Sequence, residues 1–369
     1  YRMSGLVDEL LSTSKDIEID VFTTTPNRYK SYKPQINDKY NHRINIHRFD
    51  IYNHNNNFIG QVFAFILFAF KVLGSVKRKK WDIVFATSSR LMTAYLGSLI
   101  SKKINAPLYL DIRDLFVDTI KDLHSRLIGL PLGMFLKFIE RKTYLQAKKI
   151  NLVSEGFNDY VKTITPNANI SNYTNGIDLE FLIYDFEKRS EFKSLIQITY
   201  AGNIGSGQGL EKIIPNVASI GSKNLNFKII GDGSTKDLLI KKLQEQNISN
   251  VEILNPISRE GLLEIYNEAD ILFLHLNDVK AFEKVLPSKL FEYAATKKPI
   301  IAGVCGYSKR FIDDNINGAY TFEPCNENEM HNVIEKIIEQ KTFSFEREDF
   351  CKRFARNEIM MKMSKDIIN

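Results

Sequence analysis

Between Ala281 and Gly303 the chain reads AFEKVLPSKLFEYAATKKPIIAG and gathers residues able to hold an anion. Leu286-Pro287-Ser288 is a helix entry: proline is tolerated in a first turn that has no donor to lose, and serine caps free backbone N–H groups. Such a start presents unpaired N–H groups and a partial positive charge, and Lys284 and Lys289 flank it. A phosphate is the fitting guest. Glu292, about one turn in, can accept two hydrogen bonds from a neighbouring diol such as a ribose, so the segment reads as a nucleotide-sugar site. The plainer reading of the same residues is a capped helix with solvated lysines.

Two further groups have types and positions suited to ligands. Residues 201–209, AGNIGSGQG, place four glycines between a strand (196–200) and a helix (210–220), which lets the backbone approach a bulky anion; tight turns need glycine too. Gly231-Asp232-Gly233 repeats the arrangement after a strand at 227–230. Arg113 and Asp114 end the run Asp111-Ile112-Arg113-Asp114 at the carboxyl end of a strand at 107–111. In open α/β sheets ligands gather there; an ion pair fixing the loop is the other reading. His42, His47, His54, His124, His275 and His331 form no HxxxH or HExxH pair, and Cys305, Cys325 and Cys351 lack CxxC spacing. No metal or cofactor is expected, and the cysteines read as reduced thiols of a cytosolic protein.

The elements that must position these residues alternate along 369 residues, enough for two cores. A hydrophobic fraction of 44% and a charged fraction of 25% are those of an ordinary globular protein, and a net charge of +6 favours anionic partners. Residues 5–11 read as a helix, 17–23 and 44–49 as strands with a polar loop (26–41) between them. An α/β domain ordinarily opens on a strand and a glycine-rich loop, and these are expected to be missing from this numbering. The segment 58–70, FIGQVFAFILFAF, has no charge and is followed by Lys77-Arg78-Lys79-Lys80. It falls short of the roughly 20 apolar residues that cross a bilayer, leaving a helix buried on a sheet or an interfacial helix on anionic lipid. Strands follow at 81–87 and 107–111, a helix at 91–103, a basic amphipathic helix at 128–145 and a strand at 150–154 closing the first sheet. Thr174-Asn175-Gly176-Ile177-Asp178 is a turn. The first domain is expected over 1–183 and the second over 184–369, with the last helix packing back on the first. Further strands at 251–254 and 271–274, a helix at 261–268, a glycine turn at 303–306 and helices at 327–339 and 346–366 complete the second. The fold class expected is α/β, with two doubly wound Rossmann-like domains facing across a cleft.

With DIRDLF at 111–116, FIERKTYLQAKKINLVSEG at 138–156, TNGID at 174–178, YAGNIGSGQGLE at 200–211, IIGDG at 229–233 and VLPSKLFEYAATKKPIIA at 285–302, the chain resembles the bacterial retaining glycosyltransferases of family four, of GT-B fold, over nearly its full length. It is most similar to the subgroup serving O-antigen and capsule assembly, in which amino-sugar transferases are common. The resemblance implies a nucleotide-diphosphate sugar, UDP-linked and N-acetylated, held mainly by the second domain, and a lipid-linked saccharide acceptor held by the first. Glu292 matches the glutamate that bonds the ribose, while Ser288, Lys289 and Leu290 fall where backbone amides and a cation meet the diphosphate. Gly202, Asn203 and Gly205 match the glycine loop near the donor, Gly231 and Gly233 lie near the base, and Asp114 with Arg113 matches the loop facing donor sugar and acceptor.

The chain departs from the commoner family pattern in three places. Lys284, with Glu283 beside it, stands where the first of two glutamates is usual; Asn203 and Gln208 are the polar residues where an arginine and a lysine are usual; and the first strand with its loop is expected to be missing from this numbering. Diphosphate charge then falls to Lys284 and Lys289. The implied reaction is transfer with retention, by front-face attack of the acceptor hydroxyl beside the leaving diphosphate, with Asp114 orienting the hydroxyl and no metal. The implied location is the cytoplasmic face of the cell membrane, touched through Phe58–Lys80 and Ile128–Leu145. A nucleotide-sugar epimerase of the same fold and a non-catalytic nucleotide-sugar-binding protein are the rivals, and nucleic acid is not an expected partner.

Overall fold

The computed structural model describes residues 2–25, 41–50, 58–76, 80–88, 90–123, 126–188, 191–192, 194–220, 224–341 and 343–369. The sequence-read loop at 26–40, the basic residues Lys77, Arg78 and Lys79, and His54 and His124 lie outside them. The chain divides into two compact units, Tyr1–Thr174 with Met360–Asn369, and Asn175–Ile359.

In the first unit the order is α1 (Arg2–Thr13), β1 (Ile19–Thr24), β2 (Ile44–Phe49), α2 (Phe58–Ser75), β3 (Val84–Ser88), α3 (Leu91–Ile104), β4 (Leu108–Ile112), α4 (Phe116–Leu123), α5 (Arg126–Gln146), β5 (Ala147–Leu152), α6 (Asn158–Ile164) and β6 (Ile170–Ser171). β1 pairs with β2, and β3, β4, β5 and β6 pair in that order, every pair parallel. Parallel strands need crossovers, and between β3, β4, β5 and β6 helices supply them. Where the sequence has strand β5 begin at Ile150 and end the sheet, it begins at Ala147, with a register shift against Leu108/Tyr109, and β6 pairs beyond it. β6 is two residues long, too short for its pattern to show.

All five residues of β4 are buried, which forces an account of Asp111 within it. Its carboxylate takes Nε and Nη2 of Arg2 at 3.1 and 2.8 Å, Nδ2 of Asn151 at 2.7 Å and Oγ1 of Thr87 at 2.9 Å. Arg2 also donates to the carbonyls of Tyr173 and Thr174 at 2.8 and 2.6 Å. Burial alone would push the Asp111 carboxyl up; the Arg2 guanidinium and the hydrogen bonds outweigh it and hold it below the usual carboxylate range.

The second unit runs α7 (Leu179–Ile183), β7 (Ile196–Asn203), α8 (Leu210–Ile220), β8 (Leu225–Asp232), α9 (Lys236–Glu245), β9 (Val251–Leu254), α10 (Arg259–Glu268), β10 (Ile271–His275), α11 (Lys289–Ala295), β11 (Ile300–Gly303), α12 (Gly306–Asn315), β12 (Ala319–Phe322), α13 (Glu327–Gln340) and α14 (Glu348–Arg353), and α15 (Arg356–Ile368) starts in it and belongs to the first unit from Met360 on. Its sheet has the order β12-β11-β10-β7-β8-β9, all parallel, which is the doubly wound arrangement. Alternate residues feed opposite faces, as strand geometry requires. Leu272 and Leu274 join the cluster with Leu290, Phe291 and Tyr293, while Ile271 and Phe273 join that with Ile213, Ile214 and Val217. The turn Asn175–Asp178 is tied to the start of α15: Asp178 pairs with Arg356 and Arg259, and Ile177 bridges Ala355.

Arg2→Met removes the cation from a carboxylate with no exposed surface. It is expected to cost about 3–5 kcal/mol, read as a lower urea midpoint. Because the Asp111 pKa is lowered on folding, the native pair stabilises above its ordinary value of 3.8 and the contribution fades as pH falls below it. The midpoint difference between native protein and variant should therefore shrink on acidification below that pH.

Candidate functional site

The site is built where the second unit's sheet splits. β7 and β10 pair only at Ile198 with Ile271 and Thr199 with Leu272. Beyond Thr199 the two strands part, and the N–H of Ala201 donates instead to the Tyr293 hydroxyl at 3.1 Å. The parting falls between the first strand of the unit and its fourth, the topological switch point of a doubly wound sheet, at the carboxyl ends where ligands bind.

On one side of the split, β7 and β8 stay paired through Gly202 with Gly231 and Asn203 with Asp232. Gly202 and Gly231 are thus strand residues, not loop residues as the sequence reads. Two glycines facing each other extend the ladder because nothing projects between them: a Cβ on Gly231 would lie 1.9 Å from the Gly202 carbonyl oxygen, and one on Gly233 2.3 Å from that of Ile204. The Nδ2 of Asn203 donates to Oε1 of Gln208 at 2.6 Å, a bond across the mouth of the loop, and Gly205 lies under it.

On the other side, Ser288 precedes α11 but does not cap it. Its backbone is already helical, at φ −63° and ψ −30°, and its side chain makes no capping bond; an N-cap needs an extended backbone for its oxygen to reach back. The N–H of Leu290 donates to the Pro287 carbonyl at 3.2 Å, and the Leu290 side chain is in the core. Lys289 Nζ and Glu292 Oε2 pair with each other at 2.9 Å, 28% and 13% exposed. The two residues that the sequence assigns separately to phosphate and ribose therefore form one unit, as their i,i+3 spacing allows. Lys284 closes the 3₁₀ turn Lys280–Lys284, and the Ser308 hydroxyl donates to the Val285 carbonyl beside it. The two sides meet at Gly207 and Phe282, where a Cβ on Gly207 would lie 3.3 Å from the ring.

Residues that sequence reasoning passed over hold these parts together. His275 ends β10 and Asn277 follows it. The His275 Nδ1 lies 2.5 Å from the Gln208 carbonyl oxygen, and its Nε2 accepts the Cys325 N–H at 2.9 Å. The Nδ2 of Asn277 donates to the Ser206 carbonyl at 2.7 Å, its N–H to that of Gly207 at 2.9 Å, and its Oδ1 accepts from Lys212 Nζ at 2.8 Å. Burial pushes the His275 imidazole down to about 4. The sequence signal for it is its place at the carboxyl end of a strand.

Arg113 and Asp114 belong to the first unit. They follow β4 and are exposed ahead of α4, and the Arg113 N–H donates to the Ser88 carbonyl at 2.9 Å. Asp111, three residues before Asp114, is the buried partner of Arg2 described above. Among the described residues no group of His, Cys, Asp or Glu could hold a metal ion, and no helix is long and apolar enough to cross a membrane.

Comparison with solved structures places this α/β architecture, two Rossmann-like units of parallel sheet, in the GT-B fold. Sucrose-phosphate synthase from Thermosynechococcus elongatus covers 98% of this chain and 87% of its own, at 12% identity and a TM-score of 0.69. HepE of Anabaena in complex with UDP and glucose covers 89% and 86% at 14% identity and 0.65, and the lipopolysaccharide outer core galactosyltransferase WaaB 99% and 94% at 15% and 0.64. Residues 184–358 match the family model of glycosyl transferases group 1. WcaI of Escherichia coli (strain K12), whose name assigns it to colanic acid biosynthesis as a glycosyl transferase, is 34% identical over 93 residues, 25% of this chain and 23% of that relative.

Gly231→Ala must force the paired ends of β7 and β8 apart, since backbone lies in the way of the new methyl. We expect a loss of about 1–3 kcal/mol by urea unfolding. Gly261→Ala in α10, where a Cβ meets nothing closer than 3.6 Å, is the control and should gain roughly 0.5–1 kcal/mol.

Proposed function

We propose that the protein is a retaining glycosyltransferase, moving a sugar from a nucleotide-diphosphate donor to a lipid-linked saccharide acceptor in bacterial surface polysaccharide assembly. A UDP-linked N-acetylated amino sugar is the donor class assigned. The observation that carries the reading is the split between β7 and β10, bordered on one side by the glycine segment and on the other by Lys284, Lys289 and Glu292. Support comes from the group 1 match over 184–358 and from HepE, whose structures hold UDP and UDP-glucose. The acceptor class rests on the resemblance to O-antigen and capsule transferases and on the partial match to WcaI.

Departure of the diphosphate is the costly event, because an oxocarbenium-like sugar and an anion form together. In this reading Lys284, Lys289 and the backbone N–H groups at Ser288 meet the diphosphate charge, and fixed charges there do most of the catalysis. No resident cofactor is assigned. Glu292 turns from Lys289 to the ribose hydroxyls as the diphosphate takes the lysine. Gly202, Asn203, Gly205 and Gln208 lie along the donor, Gly231 and Gly233 at the base, and Asp114 with Arg113 is assigned to the acceptor hydroxyl.

A second element of the reading is contact with a membrane at the inner face of the cell envelope. α2 exposes Phe63, Ile66, Leu67 and Phe70, and α5 exposes Met134, Phe135, Phe138 and Leu145. The spacing is that of a helix face. The opposite face of α2 is satisfied, with Ala64 and Val72 buried, and Val76 just after the helix is buried too. Lys137, Arg141 and Lys142 are exposed on α5, with Lys142 Nζ 4.4 Å over the Phe138 ring. Aromatic side chains beside cations fit an anionic lipid surface.

Labelled UDP-N-acetylhexosamine incubated with lipid-linked acceptor should yield glycosylated lipid, and nothing without acceptor; sugar epimerised without acceptor, or nucleotide bound without turnover, would reject transfer. Lys289→Ala and Glu292→Ala should each slow transfer by about 10²-fold or more, with circular dichroism unchanged, and undiminished rates in both would discard this donor site. In a separate measurement, Phe63→Ser combined with Phe70→Ser should release the protein from phosphatidylglycerol vesicles in sedimentation, while retention equal to wild type would remove α2 from the contact.

A further inference from the structure

We propose that His275 is a positioning residue for the donor, a neutral imidazole that clamps the Gln208 carbonyl to the Cys325 amide and so sets the backbone of the glycine segment. The inference rests on the donor site proposed above and adds to it a residue that touches no substrate.

His275 is wholly buried, yet both of its ring nitrogens are engaged with main chain. A carbonyl can only accept, so the nitrogen 2.5 Å from the Gln208 oxygen carries the hydrogen. The other nitrogen, 2.9 Å from the Cys325 amide, must then be bare. The two bonds fix one tautomer, with Nδ1 protonated, and exclude the imidazolium. Burial acts in the same direction. The ring stacks against Phe322 and tilts against Phe273, with both centroids 6.0 Å away, and Gly303 opposite it in the sheet makes room: a Cβ there would lie 2.2 Å from His275 Cδ2. A position that only needed filling would take an apolar ring. This one holds two separate loops by their backbones.

Asn277 continues the pattern, binding the carbonyls of Ser206 and Gly207. Three successive carbonyls, 206 to 208, are thus turned toward the end of β10. Because a trans peptide points its N–H opposite to its C=O, the N–H groups of Gly207, Gln208 and Gly209 are turned the other way. Those of Gln208 and Gly209 close on the Gly205 carbonyl at 2.9 and 3.2 Å, and that of Gly207 is directed away from β10. Releasing the Gln208 carbonyl frees this row of peptides to rotate, and the defect should appear in donor binding rather than in turnover.

The test uses the full chain with His275→Asn, His275→Gln and His275→Phe. The asparagine amide reaches the place of Nδ1 and can keep the bond to Gln208, the glutamine amide reaches the place of Nε2, and phenylalanine keeps neither. Calorimetry with UDP should show Kd raised about tenfold in the Gln and Phe variants, the worth of one ordinary hydrogen bond, and about threefold or less in the Asn variant. Donor KM should follow Kd while kcat stays nearly constant. Equal UDP affinity in the Asn and Gln variants, or affinities all equal to wild type with only Tm lowered, would reduce His275 to packing and overturn the proposal. Should the variants not fold, imidazole nitrogen NMR of the wild type decides: Nδ1 protonated from about pH 5 to 9 is expected, and an Nε2–H tautomer would overturn it. Wild type that binds no nucleotide diphosphate would instead overturn the donor site, and this inference with it.

Discussion

The parting of β7 from β10 after Thr199 is the constraint on which the second unit depends. Up to that residue the sheet is an ordinary parallel ladder, buried between two layers of helix. Past it, β7 keeps its bonds to β8 and loses those to β10, and the Tyr293 hydroxyl takes over as partner of Ala201. An unpaired backbone N–H buried in the core would cost about as much as a lost hydrogen bond, so the split is stable only because α11 brings a hydroxyl to that point. The same helix carries Lys289 and Glu292 on its first turn. One short element therefore both holds the strands open and furnishes charged groups beside the opening.

In the first unit an ion pair does comparable work. Asp111 lies in the middle of its sheet with Arg2, Thr87 and Asn151 about it, and Arg2 continues to the carbonyls at 173 and 174, where the unit's main segment ends. Charges this deep stabilise little by themselves, since desolvation offsets attraction. Their effect is specificity: with four hydrogen bonds from three residues made at once, β4 cannot slip in register without stranding a carboxylate.

Much of this was legible in the sequence, and the reasons differ by element. Strands such as Ile44–Phe49 and Val251–Leu254, and helices α3 and α8, follow from apolar runs of the right length between turn residues. The glycine clusters marked the strand ends, although β7 and β8 run further than expected because paired glycines prolong the ladder. Ser288 reads as a cap by composition, which does not reveal backbone angle. Lys289 and Glu292 each suit a ligand by type, although their spacing alone allows them to meet. Long-range partners were out of reach: that Arg2 would find Asp111, or His275 the peptides at 208 and 325, depends on crossovers bringing distant segments together. The two faces of α2 do not separate by composition within the uncharged run 58–70; only packing tells Ala64 from Phe63.

Gly303 and His275 face each other across paired strands with no spare volume between them. The two positions are a single steric object, which sets an order on how this corner can drift. A side chain at 303 can be admitted only after the rings at 275 and 322 have both given way, the second lying 2.7 Å from the new Cβ, whereas the reverse sequence of changes passes through a chain that cannot close its sheet. Neutral variation at the glycine is thereby shut off for as long as the imidazole stays, although its backbone angles would accept other residues.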